Sequence, residues 1–200
     1  MGEYFDELST SDSEKILSKA GLSLIGITGG LAMALVIGCG PFISPALRRV
    51  CLPYIPATDT QVQNILKVLS QRKGRLLDIG SGDGRVVIAA AKNGFIADGV
   101  ELNPWLVAFS KWQALRHGVQ PKTNFFYCDL WKFNVSPYNN VIIFGVEEMM
   151  SELEEKLFQE LDNGAAVIAC RFPLPSKTPV FTCGMGIDTI WLYEIKKDSY

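Results

Sequence analysis

LLDIGSGDGR, residues 76–85, sets a short apolar run against three glycines at alternate positions, with an acid, Asp78, just ahead of them. A strand, a glycine-rich turn and a helix start in succession form an anion- and dipole-binding corner at the carboxyl edge of a parallel sheet. The dinucleotide fingerprint GxGxxG does not fit. The glycines are Gly80, Gly82 and Gly84, and Arg85 stands where that pattern wants its third Gly or Ala. The phosphate loop GxxxxGK[ST] is absent as well.

Asp78 separates the remaining ligands by charge. An acid two residues before the first glycine repels a pyrophosphate and attracts an ammonium group. S-adenosylmethionine carries that cation, a carboxylate suited to the amides at a helix start, and no phosphate. The rest of a site follows at suitable spacing. Glu101 ends a second strand pattern 21 residues after Gly80, where an acid accepts hydrogen bonds from both ribose hydroxyls. Asp129 ends a third and suits the adenine amino group; Trp131 suits stacking on adenine or lining the substrate entrance. Each position also has a structural reading: Asp78 as a turn former, Glu101 as a solvated acid, Asp129 as the cap of the next turn, Trp131 as core.

Working outward, the 200 residues support one ordinary domain and little more. A net charge of −2 and a single histidine, His117, give no sign of a nucleic-acid partner. Five scattered cysteines (Cys39, Cys51, Cys128, Cys170, Cys183) without a CxxC pair fit reduced thiols. No HExxH, paired Cys/His cluster or GxSxG occurs, so neither a metal nor serine-hydrolase chemistry is expected.

The chain divides into an acidic tail (1–20), an apolar segment (21–40), a proline-broken connector (41–57) and a domain (58–200). No residue between Lys19 and Arg48 is charged, and GLSLIGITGGLAMALVIGCG (21–40) is long enough to cross a bilayer. A buried core helix is the competing reading. The acidic start argues against a cleaved secretory signal. The connector suits either the membrane surface or a plain linker. From Thr58, which opens a possible capping box with Gln61, strand and helix patterns alternate. Strand patterns lie at RLLDIG, IADGVEL, NFFYCDL, NVIIFGV and AAVIACRF, with VFTCG and IDTIWLYEI as a closing pair. This predicts an α/β fold, a Rossmann-like, mostly parallel sheet with helices on both faces.

With these motifs in hand, LLDIGSGDGR resembles motif I of the seven-stranded S-adenosylmethionine-dependent methyltransferases. PALRRVCLPYIPAT, DIGSGDGRVVIAAAKNGF, ELNPWLV, CDLWK, VIIFGV, VIACRFPLP and GIDTIWLYE together resemble the mitochondrial protein-lysine methyltransferases, from about Pro41 to Tyr193. One branch of that family modifies the ATP synthase c subunit, its sibling the adenine nucleotide translocase; CLPYIPAT, IIFGVEEMM and VIACRFP look closer to the first. The resemblance implies cofactor contacts at Asp78, Gly80, Ser81, Gly82, Glu101, Asn103 and Asp129, with Gly84 and Trp131 completing the candidate set. It also implies a mitochondrial inner-membrane address through an uncleaved signal, a domain facing the matrix, and the c subunit as protein partner.

Methylating lysine requires the unprotonated amine, which costs roughly 3 kcal/mol at a working pH of about 8. A nearby sulfonium and desolvation lower that cost, and alignment of amine, methyl and sulfur supplies more. A dedicated base is optional; Asp129, Glu147 and Glu148 stand near strand ends, and none is assigned. Methyltransferases acting on exocyclic base nitrogens usually carry [DN]PP[YFW] after the fourth strand, where this chain has FGVEEMM. The acids Glu147, Glu148, Glu152, Glu154, Glu155 and Glu160 suit a basic protein segment or a plain solvated helix face.

Overall fold

The computed structural model describes residues 19–43 and 55–197. The acidic tail up to residue 18, connector residues 44–54 and the last three residues lie outside them, with the expectations placed there.

The chain forms two units, divided after Ser44. The first is a single helix, α1 (Lys19–Ile43), which runs past both ends of the expected segment. At about 1.5 Å per residue its 25 residues span roughly 37 Å. Between Leu22 and Ile37 its large apolar side chains are 57–68% exposed. The Thr28 hydroxyl donates to the Leu24 carbonyl at 2.8 Å, satisfying itself within the helix. From Gly21 to Cys39 it is long and apolar enough to cross a membrane.

The second unit carries a seven-stranded sheet: β1 (Arg75–Ile79), β2 (Ile96–Glu101), β3 (Thr123–Tyr127), β4 (Asn140–Phe144), β5 (Ala166–Cys170), β6 (Phe181–Cys183) and β7 (Ile190–Glu194). Its order is β3-β2-β1-β4-β5-β7-β6, with the first five strands parallel and β7 antiparallel to both neighbours. The closing pair therefore exists, and β7 is inserted between β5 and β6. Strands alternate with α2 (Asp59–Leu69), α3 (Arg85–Lys92), α4 (Pro104–Arg116) and α5 (Glu147–Glu160). Several strand patterns run past the observed ends: NFFYCDL pairs only to Tyr127, where a turn at Leu130–Lys132 takes over.

Period-2 alternation splits the core. Leu76, Ala97, Ile142 and Ile168 face α2, α3 and α4, whereas Leu77, Val100, Ile143 and Val167 face α5. Both faces are covered, as parallel strands require. The capping box at Thr58 and Gln61 forms. Gln61 is wholly buried because its amide also donates to the Ile187 carbonyl, which fixes α2 to the loop before β7.

Candidate active site

β1 ends in the glycine loop, and the loop's conformation explains its composition. Gly80, Gly82 and Gly84 have φ of 75°, 53° and 78°, a left-handed region costly for residues with a Cβ. The turns bring the Gly80 and Ser81 amides back onto the Val100 carbonyl at 2.9 and 3.0 Å, sewing the loop to β2. Gly84 then caps α3. A Cβ on it would lie 2.8 Å from the Phe125 ring and the Ser110 side chain. Gly82 is gripped from both sides: its amide donates to Glu101 at 3.0 Å, and its carbonyl accepts from the Ser110 hydroxyl at 3.0 Å.

Glu101 gathers this corner. Besides Gly82, its carboxylate accepts from the Leu102 and Asn103 amides at 2.7 and 2.8 Å. Three donors occupy three of a carboxylate's roughly four acceptor positions. Accepting from both ribose hydroxyls would require one of these bonds to open. Asn103 caps α4 through the Trp105 amide at 3.0 Å. Asp129 accepts from the Trp131 amide at 3.1 Å, so the capping reading of this residue is realised. Its place beside Glu101 is set by the β3–β2 pairing, which ends with Tyr127 opposite Glu101. Trp131 is 36% exposed, which removes the core reading.

Asp78 is different in kind. It lies between Gly99 of β2 and Ile142 of β4, 1% exposed, with Oδ1 buried and unpartnered. Burial pushes its pKa well above the usual carboxylate range, and the nearby acids Glu101 and Asp83 push it further. A second buried acid, Asp98, sits on the neighbouring strand with every partner it needs. It accepts from Arg75 at 2.7 Å, from the Tyr138 hydroxyl at 2.8 Å and from Asn124 at 2.8 Å. Asp98 is structural. Asp78 is an acceptor whose donor the fold does not supply, which burial makes costly.

Among the described residues, the buried side-chain nitrogen and oxygen atoms without a partner are Asp78 Oδ1, Ser81 Oγ and Arg171 Nε. All three lie at the carboxyl ends of β1 and β5, on one edge of the sheet. Natural interiors leave few such atoms unexplained, and the adjoining Asp78 and Ser81 put two of them at the glycine loop, where a polar ligand would satisfy them.

Two participants escaped the sequence reading. Ser110 was visible as a polar residue on the buried stripe of α4, between Val107 and Ala114. Arg171 gave no signal; it follows β5 with φ of 74°. Arg85, which spoils the dinucleotide pattern, pairs with Asp83 at 2.7 Å and donates to the Ala57 carbonyl at 2.6 Å. The acidic face of α5 also needs correction. Glu147, Glu148, Glu152 and Glu155 are exposed, but Glu154 is buried and accepts from the Ser176 amide at 3.0 Å. Glu160 accepts from the Val135 amide at 3.1 Å. Both serve hydrogen bonds within the fold.

Residues 78–181 match the ANTKMT methyltransferase domain, and residues 17–48 match the N-terminal domain of the ATP synthase c-subunit lysine N-methyltransferase. The ATP synthase c-subunit lysine N-methyltransferase of Xenopus laevis is 54% identical over 193 residues, covering 96% of this chain and 84% of that protein. The adenine nucleotide translocase lysine N-methyltransferase of Mus musculus is 38% identical, covering 87% and 78%. The chain belongs to this lysine N-methyltransferase family. A crystal structure of an RNA methyltransferase from Salinibacter ruber with S-adenosyl-L-homocysteine superimposes with a TM-score of 0.69 at 28% identity. It covers 73% of this chain and 97% of that one. The methyltransferase thus has the fold of S-adenosylmethionine-dependent enzymes, and the glycine loop lies at the edge where such folds bind ligands.

Proposed function

We propose that this methyltransferase transfers methyl groups from S-adenosylmethionine to a lysine of the ATP synthase c subunit, at the mitochondrial inner membrane with its domain facing the matrix. The observation that carries the substrate is the 54% identity over 96% of the chain to the Xenopus laevis enzyme of that specificity. The adenine nucleotide translocase enzyme stands at 38% and the RNA methyltransferase at 28%. Supporting the address are α1, apolar enough to span, and the N-terminal domain match around it. Confining enzyme and substrate to one membrane raises their effective concentration without further contacts.

The site fits the cofactor. Bound there, S-adenosylmethionine supplies an electrophilic methyl group on a sulfonium. Asp78 takes the ammonium group, which provides the donor its buried oxygen lacks. Gly80, Ser81, Gly82 and Gly84 give a backbone that approaches closely and leads into the first amides of α3, suited to the carboxylate. Glu101 takes a ribose hydroxyl, Asp129 the adenine amino group, Trp131 the adenine face, and Asn103 holds the start of α4 in place. Glu147 and Glu148 are exposed in the first turn of α5, and Asp129 is occupied as a cap, so no residue is assigned as general base.

The test is to incubate the purified full chain with methyl-labelled S-adenosylmethionine and inner membranes lacking this modification. Label on a lysine of the ATP synthase c subunit is the expected result. Label in the translocase, in the lipid extract or nowhere, despite measurable cofactor binding, would replace the proposal with a sibling substrate, a lipid methyltransferase or an idle binding module.

A further inference from the structure

The outer face of α4 plays no part in that chemistry, and it is unusually apolar for a helix face in water. Val107, Ser110 and Ala114 are buried against the sheet. The opposite face presents Trp105, Phe109 and Trp112 at helical spacing, 47%, 42% and 48% exposed, with Leu115 beside them. The Phe109 and Trp112 rings lie 5.6 Å apart, and the Arg116 guanidinium sits 4.7 Å over Trp112. Water-facing helix surfaces are normally polar. Here three aromatic rings and a leucine take the place of polar groups.

Charge says what covers this face. Residues 102–128 contain Lys111, Arg116 and Lys122 and no carboxylate, in a chain of net charge −2. The exposed acids of α5 lie on the other face of the sheet. Tryptophan and phenylalanine flanked by arginine and lysine, with no acid among them, match the headgroup level of an anionic bilayer. A basic protein segment would be repelled.

Resting on the membrane residence proposed above but not on α1 itself, we propose that α4 docks on an anionic lipid surface. Trp105, Phe109 and Trp112 enter the interface, with Lys111, Arg116 and Lys122 at the phosphates. Only Leu102 and Asn103 separate Glu101 from the start of α4, so docking holds the mouth of the cofactor site beside the bilayer in which a membrane-embedded lysine is presented.

The test uses the full chain in nanodiscs of phosphatidylcholine alone or with phosphatidylglycerol, footprinted with hydroxyl radicals and read by mass spectrometry. Trp191, packed on the α5 face, serves as internal reference. Oxidation of Trp105, Phe109 and Trp112 is expected to fall at least about threefold in the anionic discs, and Lys111→Gln with Arg116→Gln to restore it. Equal oxidation in both discs overturns the proposal. So does protection that arises only when the substrate protein is added, which makes the face a protein-docking site, or only when two chains share a disc, which makes it a self-association surface. A chain that co-elutes with discs while α4 stays unprotected overturns α4 docking and leaves the α1 anchor standing. A chain that fails to co-elute overturns both.

Discussion

Asp78 carries the sharpest consequences at the level of single residues. In the cofactor-free fold, burial holds its pKa well above the carboxylate range. The folded state therefore keeps a proton that the unfolded chain has released. This contribution to stability is complete below the unfolded value of about 3.9 and is lost as pH rises through the raised folded value. Asp78→Asn should flatten that loss, and thermal melts at several pH values check it. The cofactor's ammonium favours the ionised form, so binding should release a proton and tighten as pH rises. Calorimetry in buffers of different ionisation enthalpy measures this. Asp78→Ala should leave the domain folded and abolish methyl transfer; full activity in that variant would remove Asp78 from the site. Asp98→Ala should do the reverse, costing on the order of 3 kcal/mol because the buried Tyr138 hydroxyl loses its acceptor. Urea titration distinguishes the two acids. The glycines after Asp78 set it apart in sequence, whereas the three partners that make Asp98 structural are visible only in the fold.

Between neighbouring elements, the glycine loop is fixed by contacts that leave little slack. Gly84→Ala would put a methyl group 2.8 Å from Phe125 and Ser110 at a φ of 78°. A stability loss of about 1–3 kcal/mol is expected, read from the denaturation midpoint. Much of this level was legible beforehand. The alternation of short apolar runs with segments of helical spacing placed the strand–loop–helix units, and acids after successive strands marked the candidate edge. Spacing is silent about pairing order, so the insertion of β7 between β5 and β6 was not visible. It is equally silent about which acids a fold will bury. Glu154 looks like its exposed neighbours in sequence, yet it sits on the same helix face as Met150 and Leu157 and serves the Ser176 segment. Arg171 reached its position through backbone geometry that no residue pattern announces.

For the whole molecule, the division after Ser44 separates a helix suited to lipid from a domain with its own core. Deleting residues 21–40 should release the protein from neutral vesicles while sparing cofactor binding. A variant that still floats with vesicles would show that α1 is not the only attachment, the outcome α4 docking requires on anionic lipid and forbids on neutral lipid. A final consequence concerns redox chemistry. Cys170 ends β5 wholly buried; burial and the neighbouring Asp78 push its thiol pKa well above the usual value, with Arg171 opposing. The nucleophilic thiolate is therefore scarce there, and within the domain oxidants and alkylating agents should react at the half-buried Cys128 and Cys183 before Cys170. Slow labelling of Cys170 becomes a clock for how often the heart of the sheet opens, and a bound methyl donor should make that clock run slower.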